Sequence, residues 1–176
     1  MQNNSSLISS IHTSREILLE LLNTQGYDTS EYNNSTLTET NAKYTNEQLD
    51  LLFDKSTKKD ATIRKTYVNY HLNKALRPAY IHDIIEDLFN VEEVLTKNDT
   101  LLLVVKDDPH DTIINTLKHL WEKDGYFIII LNIKRLQFNI LKHTMVPNHR
   151  IITDDEQVQL NKTYNLTSTA ELPDIS

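Results

Sequence analysis

The feature that most constrains this chain is a run from Thr100 to Ile133 in which two apolar stretches flank an amphipathic one. Thr100 to Val105, reading TLLLVV, is a continuous apolar run of the kind that suits a strand covered on both faces. Asp111 can cap a helix that carries Ile113, Ile114, Leu117, Leu120 and Trp121, and Gly125 can end it before a second apolar run, YFIIILNI. Strand, helix, strand predicts a parallel pair joined by a right-handed crossover, the usual unit of an α/β layer.

Other segments extend this layer. Thr13 and Glu16 have the spacing of a capping box, and Ile17, Leu18, Leu21 and Leu22 recur at helical spacing up to Gly26. A helix is expected from about Ser14 to Gln25, after a flexible tail over residues 1–10. Residues Asp28 to Lys43 lack apolar periodicity and read as a loop. Thr45 and Gln48 repeat the capping pattern ahead of Leu49, Leu52 and Phe53, which predicts a short second helix. Ile63 to Tyr70 is rich in β-branched and aromatic residues and reads as a strand. Pro78 suits the first turn of a helix bearing Ile81, Ile84, Ile85, Leu88 and Phe89. From Leu136 the character changes: Pro147 is followed by Thr153 and Glu156, another capping box, opening a short helix to about Tyr164. The expected organisation is α/β, with a mixed-sheet domain over residues 11–135 and a small α+β module over residues 136–176.

Composition removes several classes of function. With no Cys, thiol catalysis, disulfides and Cys-based zinc sites are excluded together. With only two glycines, Gly26 and Gly125, there is neither a phosphate-cradling loop nor a Gly-x-Ser-x-Gly elbow. The seven histidines show no His-x-His or His-x-x-x-His spacing, so no metal and no cofactor is expected. No apolar run is long enough to cross a bilayer, and the N-terminus lacks the basic start and apolar core of a secretory signal. An intracellular or virion-internal protein is expected, in the virion or host cytoplasm if viral and in the nucleus if cellular. Asn is abundant while Gly and Ala are scarce, a bias read as drift toward A/T-rich codons, for which large DNA viruses are one source.

A formal charge of −7 argues against tight, independent nucleic-acid binding, which needs clustered Lys and Arg. Any DNA contact should be weak and local. The densest positive cluster is Lys55, Lys58, Lys59, Arg64 and Lys65, diluted by Asp54 and Asp60, and these are the candidate DNA-proximal residues. The acidic stretch Asp83, Glu86, Asp87, Glu92 and Glu93 ahead of a strand ending at Lys106 invites comparison with metal-dependent nucleases. Those enzymes place an acid two residues before the lysine. Here that position is Val104, so the strand reads better as buried than as catalytic.

The segment from Asn139 to Pro173 resembles the assembly domain of the fifth common subunit of multisubunit DNA-directed RNA polymerases, a family with archaeal and eukaryotic members. That family carries His-x-Leu-Val-Pro-x-His, then a Thr-x-x-Glu helix start, a Tyr closing that helix, and Leu-Pro-x-Ile. The matching residues are His143, Val146, Pro147 and His149, then Thr153 and Glu156, Tyr164, and Leu172, Pro173 and Ile175. Met145 stands where Leu is usual, Asn148 where Lys is usual and Asp174 where Arg is common. Family members continue past Leu-Pro-x-Ile, whereas this sequence ends at Ser176, which reads either as a shortened module or as a module whose last residues are missing from this sequence. A fainter likeness links Gln25-Gly26-Tyr27 to the end of the family's first helix, and Thr100 to Ile133 falls where eukaryotic members have their jaw domain. Archaeal members lack the jaw, so the resemblance points to a eukaryotic-type or large-virus polymerase.

The resemblance implies a noncatalytic subunit, docking on the largest polymerase subunit and forming the lower jaw near downstream duplex DNA, with catalysis in other chains. The implied partner-binding residues are His143, Met145, Val146, Pro147, His149, Tyr164, Leu172 and Pro173. Pro147 fixes one backbone angle and biases Val146 toward an extended conformation, so the turn has few conformations to lose on docking. Two alternatives from other classes are a degenerate metal-dependent nuclease domain and a free-standing adaptor using the same turn.

Overall fold

The computed structural model describes residues 4–56, 63–147 and 152–166. It contains two compact units, Met1–Asn139 and Ile140–Ser176. The first is a mixed α/β layer around a four-stranded sheet. Strand β1 (Leu51–Ser56) pairs antiparallel with β2 (Ile63–His71), which pairs in parallel with β3 (Thr100–Val105), itself parallel to β4 (Phe127–Asn132). The spatial order follows the sequence order, β1-β2-β3-β4.

Strand β3 is central, and this accounts for its unbroken apolar sequence. Leu102 and Val104 pack into one cluster with Ile11, Leu18, Phe53 and Val68. Leu101, Leu103 and Val105 pack into the other, with Ile81, Ile84, Ile113 and Leu120. Helix α1 (Asn4–Thr24) supplies the first cover, and α3 (Pro78–Ile85) with α4 (Asp111–Asp124) supplies the second. Pro78 occupies the first turn of α3, as its missing N–H permits, and α3 runs on into a π-helical turn over Glu86–Val91. Gly125 ends α4 at φ 78°, a left-handed position without cost for glycine, and its N–H donates to the Trp121 carbonyl at 3.1 Å.

Four expectations are corrected. The first helix begins at Asn4 rather than near Ser14, and residues 4–10 are helical rather than a flexible tail. Ile8 and Ile11 are buried and extend the stripe of Leu18 and Leu22 upstream. The position that interrupts it, Arg15, is itself 1% exposed, so a basic residue occupies a core position and hides the period. Thr13 and Glu16 lie inside this helix, and Glu16 pairs instead with His12 at 3.6 Å.

The second correction concerns residues 28–56. The capped helix is α2 (Leu37–Thr45), whose Thr36 hydroxyl accepts from the Glu39 N–H while the Glu39 carboxylate accepts from the Thr36 N–H. The expected helix over Leu49 to Phe53 is instead the approach to and start of β1. Leu49, Leu51 and Phe53 are all buried, which is the period of two that belongs to a strand. Third, Asp111 is the first residue of α4 and His110 is its cap position, without a side-chain capping bond. Fourth, the first unit runs to Asn139, past the expected boundary at 135, because Ile133 and Leu136 are buried in the cluster beneath α1. The Gln137 amide also donates to the Ser10 carbonyl at 3.1 Å.

Candidate functional site

Among the described residues of the second unit, local hydrogen bonds fix the backbone while most side chains are exposed. A short 3-10 turn over Ile140–Lys142 leads into the His143 turn, where the His143 N–H donates to the Ile140 carbonyl at 3.0 Å. The Val146 N–H then donates to the His143 carbonyl at 2.9 Å, and the Met145 N–H donates to the His143 ring Nδ1 at 3.2 Å. His143 thus closes its own turn with main chain and ring, and Val146 and Pro147 follow at its exit. Helix α5 (Asp154–Tyr164) opens on the expected capping box: the Thr153 hydroxyl accepts from Glu156 N–H at 3.3 Å, and the Glu156 carboxylate accepts from Thr153 N–H at 2.9 Å. Asn165, at φ 52°, closes it.

Among the described residues from 140 to 166, none is buried. Ile140, Leu141, Ile152 and Val158 are exposed, Met145 is 82% exposed and Tyr164 is 70% exposed. Of the predicted partner-binding residues, His143, Met145, Val146, Pro147 and Tyr164 are described, whereas His149, Leu172 and Pro173 lie outside the described residues. An isolated helix as short as α5 is marginal in water without a packed face.

The predicted basic cluster divides. Lys55 and Arg64 are direct cross-strand partners at the end of the β1–β2 hairpin. Lys65 turns away: its ammonium donates to the Val94 carbonyl at 3.3 Å, and its N–H donates to the Asp99 carboxylate at 2.6 Å. Lys58 and Lys59 lie outside the described residues. Lys55 and Arg64 instead share a cleft with Lys97, Trp121 and Phe127, residues distant in sequence that no charge run connects.

A second polar cluster, unforeseen from the sequence, surrounds Asp50 at the other end of the hairpin. Its carboxylate accepts from the Tyr67 hydroxyl and the Asn69 amide at 2.9 Å each, and from the Tyr70 N–H at 3.2 Å. The Tyr80 hydroxyl donates to Asn69 at 3.0 Å and its ring lies 4.0 Å from that of His71. Burial raises the Tyr67 hydroxyl above its ordinary value, and the neighbouring Asp50 charge raises it further. Burial likewise raises Tyr80 and pushes Tyr70 up to about 12. Burial lowers His71, which favours the neutral ring. With three donors on Asp50, the cluster braces the start of β1 against the end of β2.

The nuclease alternative draws no support from this arrangement. Val104 is 0% exposed inside the core, and among the described residues no group of three or more metal-ligating side chains comes together.

The raised tyrosines set an alkaline limit. In the unfolded chain a tyrosine ionises near 10.0, and in the folded protein Tyr70 does so at about 12, so above pH 10 the folded state holds more protons. Stability is therefore fully present below about pH 10 and falls as pH rises toward 12. Urea midpoints should be level from pH 8 to 9.5 and drop steeply beyond about pH 10, a loss that Tyr70→Phe should reduce.

Comparison with known proteins finds similarity in the C-terminal segment. Residues 138–176 match the family model for RNA polymerase Rpb5, C-terminal domain. Over 39 residues, 22% of this chain, the sequence is 46% identical to DNA-directed RNA polymerase subunit Rpo5 of Pyrococcus horikoshii, covering 46% of that protein. The same identity and coverage hold for subunit Rpo5 of Pyrococcus abyssi. The chain spans about half the length of the curated relatives it matches. The resemblance read from Asn139 to Pro173 is thus shown, and the C-terminal quarter of the chain is Rpb5-like.

Proposed function

From this Rpb5-like C-terminal quarter, we infer that the chain serves as a noncatalytic subunit of a multisubunit DNA-directed RNA polymerase. In this reading the second unit docks on the largest subunit, and the α/β unit forms a lower jaw beside downstream DNA. Catalysis belongs to other chains.

The observation that carries the reading is the coincidence of two independent facts. Within the segment that matches a polymerase subunit, none of the described residues from 140 on is buried. Its helix is capped at both ends and its turn is closed by His143, so local bonds favour one backbone conformation. Meanwhile Met145, Val158 and Tyr164 stay in water. Local bonds that favour one backbone conformation reduce the entropy lost on docking, and the exposed apolar anchors gain burial only on a partner. On this reading His143, Met145, Val146, Pro147 and Tyr164 meet the partner, joined by His149, Leu172 and Pro173.

The test is affinity purification of the tagged chain from its own cells or virions, followed by mass measurement of the intact complex. The two largest polymerase chains should co-elute with it at fixed stoichiometry. Recovery without any polymerase chain would sink the reading and favour a free-standing adaptor.

A further inference from the structure

At the starting ends of the parallel strands, a cleft of 430 Å³ gathers cations and exposed aromatic rings. We propose that this cleft binds single-stranded nucleic acid, with phosphates on Lys55, Arg64 and Lys97 and an unpaired base against Trp121 and Phe127. The proposal goes beyond the jaw reading, whose DNA is duplex, by adding a surface for unpaired strand, and it is independent of docking by the second unit.

Charge is the first argument. The chain carries a net −7, yet three cations meet here. Lys55 and Arg64 stand directly opposite each other in register, an arrangement of like charges that destabilises a strand pair. Among the described residues, no carboxylate forms an ion pair with any of the three. Two of them lie over aromatic rings instead: the Lys55 ammonium is 5.1 Å from the Tyr27 ring centre, and that of Lys97 is 5.3 Å from Tyr126. The cleft also contains Asp99, which is 4% exposed and already accepts from Lys65 N–H, Thr96 N–H and the Thr96 hydroxyl at 2.6 to 2.7 Å. Its charge is thus directed into the fold, and the positive side chains define the open face.

The aromatic pair is the second argument. Trp121 follows the buried Leu120 on α4 and is itself 54% exposed; Phe127 at the start of β4 is 44% exposed. Their rings meet edge to face at 5.4 Å, leaving ring surface open to solvent. Stacking on such a surface is available to unpaired bases of any sequence, whereas paired bases in a duplex have their faces covered. The volume is in the range that accommodates a nucleotide-sized group.

Trp121 is the only tryptophan, so intrinsic fluorescence reports this cleft directly. A twelve-residue oligothymidylate titrated into the full chain at about 50 mM salt should quench that fluorescence saturably. With three phosphates neutralised, raising the salt about fourfold should weaken binding roughly twentyfold. The double variant Lys55→Glu, Arg64→Glu should abolish the quench, and Phe127→Ala should weaken binding at least about fivefold while retaining the Trp121 signal. Unchanged urea midpoints for these variants show that the fold is kept. Absence of quenching at low salt overturns the proposal. So does equal quenching by a duplex of matching length or by polyglutamate, since either would mean that the cleft does not select unpaired bases. Co-purification with polymerase chains is unaffected by either outcome, so failure here is distinguishable from failure of the subunit reading.

Discussion

Phe53→Ala should lower the stability of the first unit by about 3–5 kcal/mol, seen as a lower urea midpoint with an unchanged slope. Phe53 is 1% exposed and packs edge to face on Tyr32 at 5.0 Å. The Tyr32 hydroxyl in turn donates to the Leu52 carbonyl at 3.1 Å, so the ring and the strand support each other. Truncation removes a large apolar surface and leaves a cavity beneath α1 that the surrounding Ile11, Leu18 and Val68 can fill only in part. Leu37→Ala is the control, because Leu37 is 48% exposed and its loss should cost no more than about 0.5 kcal/mol. Equal effects at the two positions would contradict the placement of Phe53 on the inner face of β1.

Met145→Asp combined with Tyr164→Asp should have the opposite profile. Both side chains are mostly in water, so the urea midpoint of the first unit should not move. Incorporation into polymerase should fall by about thirtyfold or more, the effect of losing a well-packed anchor from an interface. Introducing a carboxylate makes the test sharper than alanine, since a buried, unpaired charge opposes docking. Wild-type levels of incorporation would remove Met145 and Tyr164 from the docking surface.

The parts of the fold that are legible in the sequence are those in which one element satisfies its own pattern. Strand β3 has both faces covered, so its apolar run is continuous, and α4 with Gly125 repeats at the helical period. The C-terminal capping box is equally plain because Thr153 and Glu156 satisfy each other three residues apart. What stays hidden depends on distant partners. Arg15 is buried beneath the sheet, its guanidinium donating to the Leu49 carbonyl and lying 5.8 Å from the Tyr70 ring centre. No local pattern announces a basic residue in a core position. Strand β1 reads as a helix because Leu52, which packs against the second cluster on the other face, interrupts the period of Leu49, Leu51 and Phe53.

The candidate sites follow the same division. The His143 turn can be found because its residues are neighbours in sequence. The Asp50 cluster joins groups 17 to 20 residues away across a strand pair, and Asp50 has no local motif to mark it. The basic cluster is visible as charge, but its aromatic neighbours Trp121 and Phe127 arrive from α4 and β4, and only the register of the sheet brings them beside Arg64. Lys65 shows the converse, since membership in a charge run does not determine where its side chain points.

The central claim is that a segment whose described residues form no core of their own is completed by a polymerase. Amide hydrogen exchange over residues 140–166 tests it most directly, measured in the free chain and in the purified enzyme. With no buried residue described in this range, α5 and the His143 turn should open readily and exchange fast in the free chain. In the enzyme the same amides should be protected by at least about a hundredfold, while those of β3 change little. Identical exchange of α5 in the two states would contradict the claim.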